Sequence, residues 1–284
     1  MKKPLVSIII PTYSRPNKLK EAIDSVLNQT YKQLEVVVID DNSPNTKERY
    51  ETSNLINQFC DSRLLYICHD KNKGANAARN TGIEKCSGDY IAFLDDDDRY
   101  APSKVEEQIR ALEIIALRSV GGSFAFTGAV RLGDTIYPDS KWMSTTNEKL
   151  FFPDQFLIFS KNFIGSNSYI MVDRQSILDV DGFDDSLPSC QDWDLFIRLA
   201  LRGVKMVGIN SPLVEYYAHD EPRITNDLSK KVQGHLAILN KYESIISERA
   251  PSHLNSFYRY IYHQILTDNR KESKLVLAKI KSSG

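Results

Sequence analysis

Four consecutive aspartates, Asp95, Asp96, Asp97 and Asp98, stand directly behind the apolar run "YIAFL" at 90–94. Like charges side by side repel, so a chain gathers them where cation or phosphate chemistry needs them at one point, or else leaves them as a solvated acidic loop. Neighbouring carboxylates at a strand end can hold a hard divalent cation, and Mg²⁺ or Mn²⁺ bound by one or two carboxylates completes its shell with substrate phosphates. A diphosphate is the natural partner of such a site. The chain carries neither a GxxxxGKS/T loop nor a GxGxxG turn, so an ATPase or a dinucleotide dehydrogenase would lack its phosphate cradle.

The elements that must position these residues are legible in the hydropathy. "LVSIII", "LEVVVID" and "YIAFLD" are nearly continuous apolar runs, as expected of parallel strands buried on both faces. Leu19, Ala22, Ile23, Val26 and Leu27 follow helical spacing, and "TKERYETSNLINQF" sets Tyr50, Leu55, Ile56 and Phe59 on a second stripe. This alternation predicts a doubly wound α/β sheet, in which ligands bind beyond the carboxyl ends of the strands. Each polar cluster falls there: "PTYSRP" after the first strand, "DDNSPN" after the second, "HDKNKGANAARN" after the third and "DDDD" after the fourth. Four strand ends carrying Asp, Asn and Arg converge on one crevice, which favours a binding site over a solvated loop. Beyond residue 120 the pattern predicts a strand at "SYIMVD", a helix at "DWDLFIRLALRG" and two strands at "KMVGI" and "VEYYAH". From 228 the chain reads as helical, with Leu254, Phe257, Tyr258, Ile261, Tyr262, Ile265 and Leu266 on one stripe.

Of the 284 residues, 42% are hydrophobic and 26% charged, as in an ordinary soluble globular protein. The net charge of -1 hides an asymmetry, since residues 228–284 hold ten Lys or Arg against four Asp or Glu. No apolar run approaches the roughly 18 residues that span a bilayer. The run in "MKKPLVSIIIPTYSRP" is broken by Pro11 and lacks a small-residue cleavage site. A cytoplasmic location is expected, with the basic tail either resting peripherally on the anionic inner face of the plasma membrane or packing its stripe against the rest of the chain. Cys60, Cys68, Cys86 and Cys190 form no CxxC pair, so reduced thiols are expected. No nucleic-acid partner is expected.

"VSIIIPTYSRP", "VVVIDDNSPN", "NKGANAARNTGI", "GDYIAFLDDDD" and "GFDDSLPSCQDWDLFIRLALRG" resemble, in this order, the motif series of family 2 glycosyltransferases, in particular bacterial surface-polysaccharide enzymes. The resemblance covers roughly residues 4–220. It implies an inverting enzyme of the GT-A fold, α/β, with a Rossmann-like doubly wound mixed sheet and a helical C-terminal extension. The implied division is a catalytic domain over 1–227, with a nucleotide-binding half at 1–100 and an acceptor-binding half at 101–227, then the extension at 228–284. The implied reaction moves a sugar from a nucleoside diphosphate sugar, a UDP-sugar foremost, with Mn²⁺ or Mg²⁺ as cofactor. The implied acceptor is a glycan or a polyisoprenyl diphosphate-linked sugar, as in O-antigen or capsule synthesis.

Carried over by position, Pro11, Thr12, Tyr13 and Arg15 form the wall around the donor base, and Asp41 accepts a hydrogen bond from uracil. Turn formation is the alternative for Asp40 and Asp41. Asn72 joins the donor-binding set, while Arg79 either pairs with a carboxylate or reaches the diphosphate. The family's DxD aligns with Asp95, Asp96 and Asp97: Asp97 is the direct metal ligand, Asp95 lies near ribose and sugar, and Asp96 takes a variable position expected to face solvent, with a place in the donor-binding set as the alternative. The run of four leaves the register open, and Asp98 matches an additional acidic residue of the acceptor side. His219 is a second metal contact or a structural histidine. Asp192 stands where the family has its catalytic base, with helix capping as the compatible alternative. Gln191 replaces the Glu that usually precedes the base. Asp194 is read as acceptor-binding or supporting, and Trp193 as covering the sugar or simply packing. Two other readings stay open: a sugar-nucleotide pyrophosphorylase, which would need a Gly-rich basic loop where "PTYSRP" stands, and a non-catalytic nucleotide- or glycan-binding protein, which Gln191 favours.

Overall fold

The computed structural model describes residues 3–118, 121–132, 149–217, 227–266, 274 and 276–277. The first half alternates strand and helix: β1 (Val6–Thr12), α1 (Pro16–Leu27), β2 (Leu34–Asp40), α2 (Lys47–Ile56), β3 (Leu64–Cys68), α3 (Ala75–Lys85) and β4 (Tyr90–Phe93). The four strands are parallel, in the order β3-β2-β1-β4. Because successive side chains on a strand point to opposite faces, the nearly continuous apolar run of β1 is buried on both sides. Val6, Ile8 and Ile10 meet Leu19, Ile23 and Val26 of α1, whereas Ile9 meets Ala78 and Ile83 of α3 on the other face. Pro16 opens α1, where its missing N–H is no loss. The stripe expected on α2 differs: Thr52 and Ile56 face inward, and Tyr50 is 69% exposed.

The second half adds β5 (Arg99–Tyr100), α4 (Lys104–Ala116), β6 (Ser123–Leu132), β7 (Leu150–Phe151), α5 (Leu157–Ser160), β8 (Ile170–Asp173), α6 (Arg174–Leu178), α7 (Gln191–Leu201) and β9 (Lys205–Tyr217). The sheet continues β4-β8-β6-β9-β5, with β8 antiparallel to both neighbours and β6 parallel to β9, so it is mixed as expected. The two strands read from "KMVGI" and "VEYYAH" are one. Pro212, which has no N–H to donate, coincides with a shift in the β6–β9 register near Thr127 and Gly128, and pairing resumes at Ala129↔Val214.

The chain then forms α8 (Leu228–Arg249) and α9 (Pro251–Ile265), which pack onto α5 and α7. Phe257, Tyr258, Ile261 and Ile265 are buried in the same hydrophobic cluster as Phe124 and Phe196, while Leu266 is 40% exposed. Each large apolar side chain so buried contributes about 1.5–3 kcal/mol. The stripe therefore packs. All four cysteines are free thiols, as expected.

Candidate active site

From β1 the chain winds one way to β2 and β3, and β4 pairs on the other side of β1. The C-terminal ends of β1 and β4 thus flank the point where the winding reverses, the place where a doubly wound sheet opens a crevice. Thr12, the last residue of β1, spans it by donating from Oγ1 to Asp96 Oδ2 at 2.8 Å. Arg15 Nη1 lies 3.1 Å from Asp96 Oδ1 and 2.9 Å from Asp97 Oδ2. Asp96 was expected to face solvent, yet it is 5% exposed, turned inward to collect these donors. Its burial, with Asp97 and Asp95 beside it, pushes it up to about 7 against the pull of Arg15 and Thr12. Asp98 lies buried under the turn, its amide donating to the Asp95 carbonyl at 3.0 Å. The repulsion among the four aspartates is thus relieved by two arginines and a hydroxyl.

The second arginine is Arg79 on α3. Its Nη2 donates to Asp95 Oδ1 at 2.6 Å, and its guanidinium lies 5.5 Å from the Phe183 ring. The sequence left carboxylate pairing and diphosphate contact open; pairing is observed, and the buried Nε and Nη1 have no hydrogen-bond partner among the described residues. The residues flanking Arg79 on α3 hold a different loop. Asn80 accepts from Phe183 N at 2.8 Å and donates to Phe183 O at 2.9 Å, while Asn76 donates to Asp184 O at 3.1 Å. Gly182 in that loop has φ +62°, and a Cβ there would come 2.5 Å from Asn80 Oδ1. "GANAARN" therefore reads as a clamp on 182–184 with one arginine aimed at the crevice.

At the end of β2 the two aspartates differ. Asp40, fully buried, accepts from the Asn42 amide and side chain at 2.8 Å each and from the Tyr66 hydroxyl, and forms an ion pair with Arg49, whose Nε lies 3.1 Å away. It organises the turn. Asp41 accepts from His69 Nδ1 at 2.7 Å and from the amides of Lys73 and Gly74 at 2.8 Å each. His69 Nε2 in turn lies 2.9 Å from Thr81 Oγ1. His69 escaped the sequence reading, although its place one residue past β3 was the signal. Ser168, which accepts from the Asp95 amide at 3.1 Å, had none. Around the rim, Tyr13 is 53% exposed, Pro11 is half-buried and Asn72 is exposed.

The start of α7 reaches the same crevice. Asp192 is half-buried and accepts from the Trp193 amide at 2.8 Å. Burial pushes it up to about 6; the Trp193 amide and the Arg79 charge pull it down, and Asp95 raises it. The cap is Cys190, with φ 62°, so Asp192 lies inside the first turn rather than capping it. Gln191 is half-buried beside it. For Asp194 and Trp193 the supporting and packing alternatives describe the observed contacts. Asp194, fully buried, accepts from Arg198 Nε at 2.8 Å, Lys241 Nζ at 2.7 Å and Tyr242 Oη at 2.6 Å, so both oxygens are committed to helices. Trp193 donates to Ile158 O at 2.7 Å and packs 5.1 Å from Tyr260. His219 lies outside the described residues.

No group of three or more His, Cys, Asp or Glu poised to hold a metal occurs among the described residues. Asp95 and Asp97 nevertheless offer hard oxygen donors at one strand end, a set that fits Mn²⁺ or Mg²⁺ sharing its shell with phosphate oxygens.

Residues 7–180 match glycosyl transferase family 2. An uncharacterized glycosyltransferase of Rickettsia bellii (strain RML369-C) is 36% identical over 69% of this chain and 27% of its own length. One of Rickettsia felis is 31% identical, with 36% of its length covered, so the chain spans about a third or less of these two relatives. The putative teichuronic acid biosynthesis glycosyltransferase TuaG of Bacillus subtilis (strain 168) is 31% identical over 75% of this chain and 79% of its own. Among solved structures, S. aureus TarS 1-349 in complex with UDP-GlcNAc superposes with a TM-score of 0.67 at 15% identity, covering 98% of this chain and 88% of that one. Mannosyltransferase PcManGT from Pyrobaculum calidifontis, in complex with GDP-Man and Mn²⁺, gives 0.60 at 17% identity, covering 99% and 80%. The chain is therefore a member of glycosyl transferase family 2, with the GT-A fold and a helical C-terminal extension.

Proposed function

We propose that the chain transfers a sugar from a nucleoside diphosphate sugar, a UDP-sugar foremost, to an acceptor hydroxyl with inversion at the anomeric carbon. The observation that carries this reading is Asp192, a half-buried carboxylate pushed up to about 6, within electrostatic reach of the Arg79–Asp95 pair. A base poised near the working pH suits the removal of a hydroxyl proton. As the acceptor oxygen bonds to the anomeric carbon, its proton passes to the Asp192 carboxylate. The bond from that carbon to the phosphate oxygen breaks, and the nucleoside diphosphate leaves with the electron pair. Arg79, two of whose buried nitrogens have no partner among the described residues, and Arg15 supply positive charge toward the diphosphate. Asp41, held rigid by three donors, keeps acceptor capacity for a base N–H. Mn²⁺ or Mg²⁺, when bound, offsets the charge of the departing diphosphate; Asp97 and Asp95 would hold it, with His219 as a further ligand.

Family membership supports the reaction class, and the nucleotide sugars bound by TarS and PcManGT support the donor class. The role named for TuaG supports a surface-polysaccharide acceptor, for which we propose a glycan built on a polyisoprenyl diphosphate carrier. No described helix is long and apolar enough to cross a membrane, and the basic tail favours a peripheral contact at the cytoplasmic face. A screen of UDP-, GDP- and dTDP-sugars, read by nucleotide release, tests the proposal. Release from one donor is expected with Mn²⁺ or Mg²⁺ and lost in excess chelator. Undiminished release in chelator overturns the metal's role; nucleotide binding without release from any donor favours the non-catalytic reading that Gln191 invites.

A further inference from the structure

The turn leading into α7 is gripped from the side by α8. Ser189 Oγ donates to the Lys230 carbonyl at 2.9 Å, and Cys190 Sγ lies 3.5 Å from His235 Nδ1. His235 is itself fixed, with Nδ1 2.8 Å from the Lys231 carbonyl and its ring 6.2 Å from that of Trp193. Gly234 lets the two backbones approach so closely that a Cβ would fall 2.1 Å from Ser189 Oγ and 2.8 Å from Ser189 O. One helical turn further on, Asp194 is tied to Lys241 and Tyr242 of the same helix. Residues 190 and 194 share one face of α7, so 192, midway between them, lies on the other.

Cys190 adds a second sign of constraint. Its φ of 62° is a left-handed conformation that a residue with a side chain keeps only where its surroundings over-determine it. Burial pushes the thiol up to about 12, which removes it as a nucleophile. The strained turn sits directly before Gln191 and Asp192, where a small rotation of the helix start would carry the carboxylate out of reach.

We propose that α8 is a positioning element for the reaction: its grip on Ser189, Cys190 and Asp194 holds the first turn of α7 so that Asp192 faces the crevice, with Gly234 and His235 setting the fit. This rests on reading Asp192 as the base.

The test compares Gly234→Ala, His235→Ala and Asp192→Asn with the corresponding double variants, on the full chain and with the donor selected by nucleotide release. Alanine favours a helix over glycine by about 1 kcal/mol, so Gly234→Ala would be harmless or stabilising if the close approach did nothing. The expected result is a fall in kcat of about 10²-fold, the scale of an ångström-sized misplacement, with donor KM and calorimetric nucleotide affinity within about twofold. In the Asp192→Asn background the same substitutions should cost nothing more, because they act through that residue. Losses that multiply in the double variants overturn the proposal, as does wild-type kcat in Gly234→Ala and His235→Ala while Asp192→Asn is slow. Normal turnover in Asp192→Asn instead removes the base reading itself, and this proposal with it. If Gly234→Ala does not melt cooperatively, His235→Ala decides, with recovery of kcat in His235→Gln as support.

Discussion

Asp192 sits in surroundings that resist its charge. A carboxylate raised in the folded state contributes stability that is present at acid pH and lost as pH rises through its folded value, here about 6. At neutral pH the ionised group is therefore a burden on the fold. Asp192→Asn should melt at a higher temperature than the parent chain while turning over about 10²-fold slower or worse, with nucleotide affinity unchanged. Scanning calorimetry, a rate assay and titration on one preparation check all three. Because only the ionised form accepts a proton, kcat should rise with pH through about 6 and this limb should vanish in the variant. The identity of this residue was legible in "SCQDWD", but its environment was not. Arg79 and Asp95 come from elements about a hundred residues earlier, and only the winding of the sheet brings them near. The burial of Asp96 is hidden in the sequence for the same reason, since nothing local reveals that Thr12 and Arg15 lie across the crevice.

Among the elements, α3 bears the heaviest double duty, turning Arg79 toward Asp95 while Asn76 and Asn80 hold the 182–184 loop. Asn80→Ala strands the buried Phe183 amide and carbonyl together, so a loss of about 1–3 kcal/mol in urea unfolding is expected. Donor turnover should fall with it, as the Phe183 ring beneath the guanidinium loosens. The strands β1, β2 and β4 and the helix α1 were legible because their burial is written locally, in nearly continuous apolar runs for the strands and in helical spacing for α1. β9 reads as two strands in the sequence because Pro212 looks like a terminus when the partner β6 is unknown. For Trp193 and Asp194 the sequence leaves packing or support open beside an acceptor role, because the aromatic neighbours of the one and the cationic and hydroxyl partners of the other on α8 and α9 lie more than forty residues on, and no spacing rule links positions so far apart.

At the scale of the molecule, the sheet carries a core on each face, and α8 and α9 complete one of them. A chain ended at residue 227 would leave Trp193 and its neighbours bare, and the buried Asp194 without Lys241 and Tyr242. Such a chain is expected to aggregate or bind a hydrophobic dye, and well-behaved, active protein of that length would refute the expectation. The excess of Lys and Arg after 228 should still give weak flotation with anionic vesicles at low salt that disappears at high salt. The late position of these two helices also matters in time. During synthesis the first four strands can pair as they emerge, each beside one already made, whereas the face of α7 waits for its cover. At about 5–20 residues per second, the stretch from 196 to 265 takes several seconds to appear. For that interval the nascent chain shows its aromatic surface to every other chain nearby. Slower translation of the last helices would then lower the yield of folded protein.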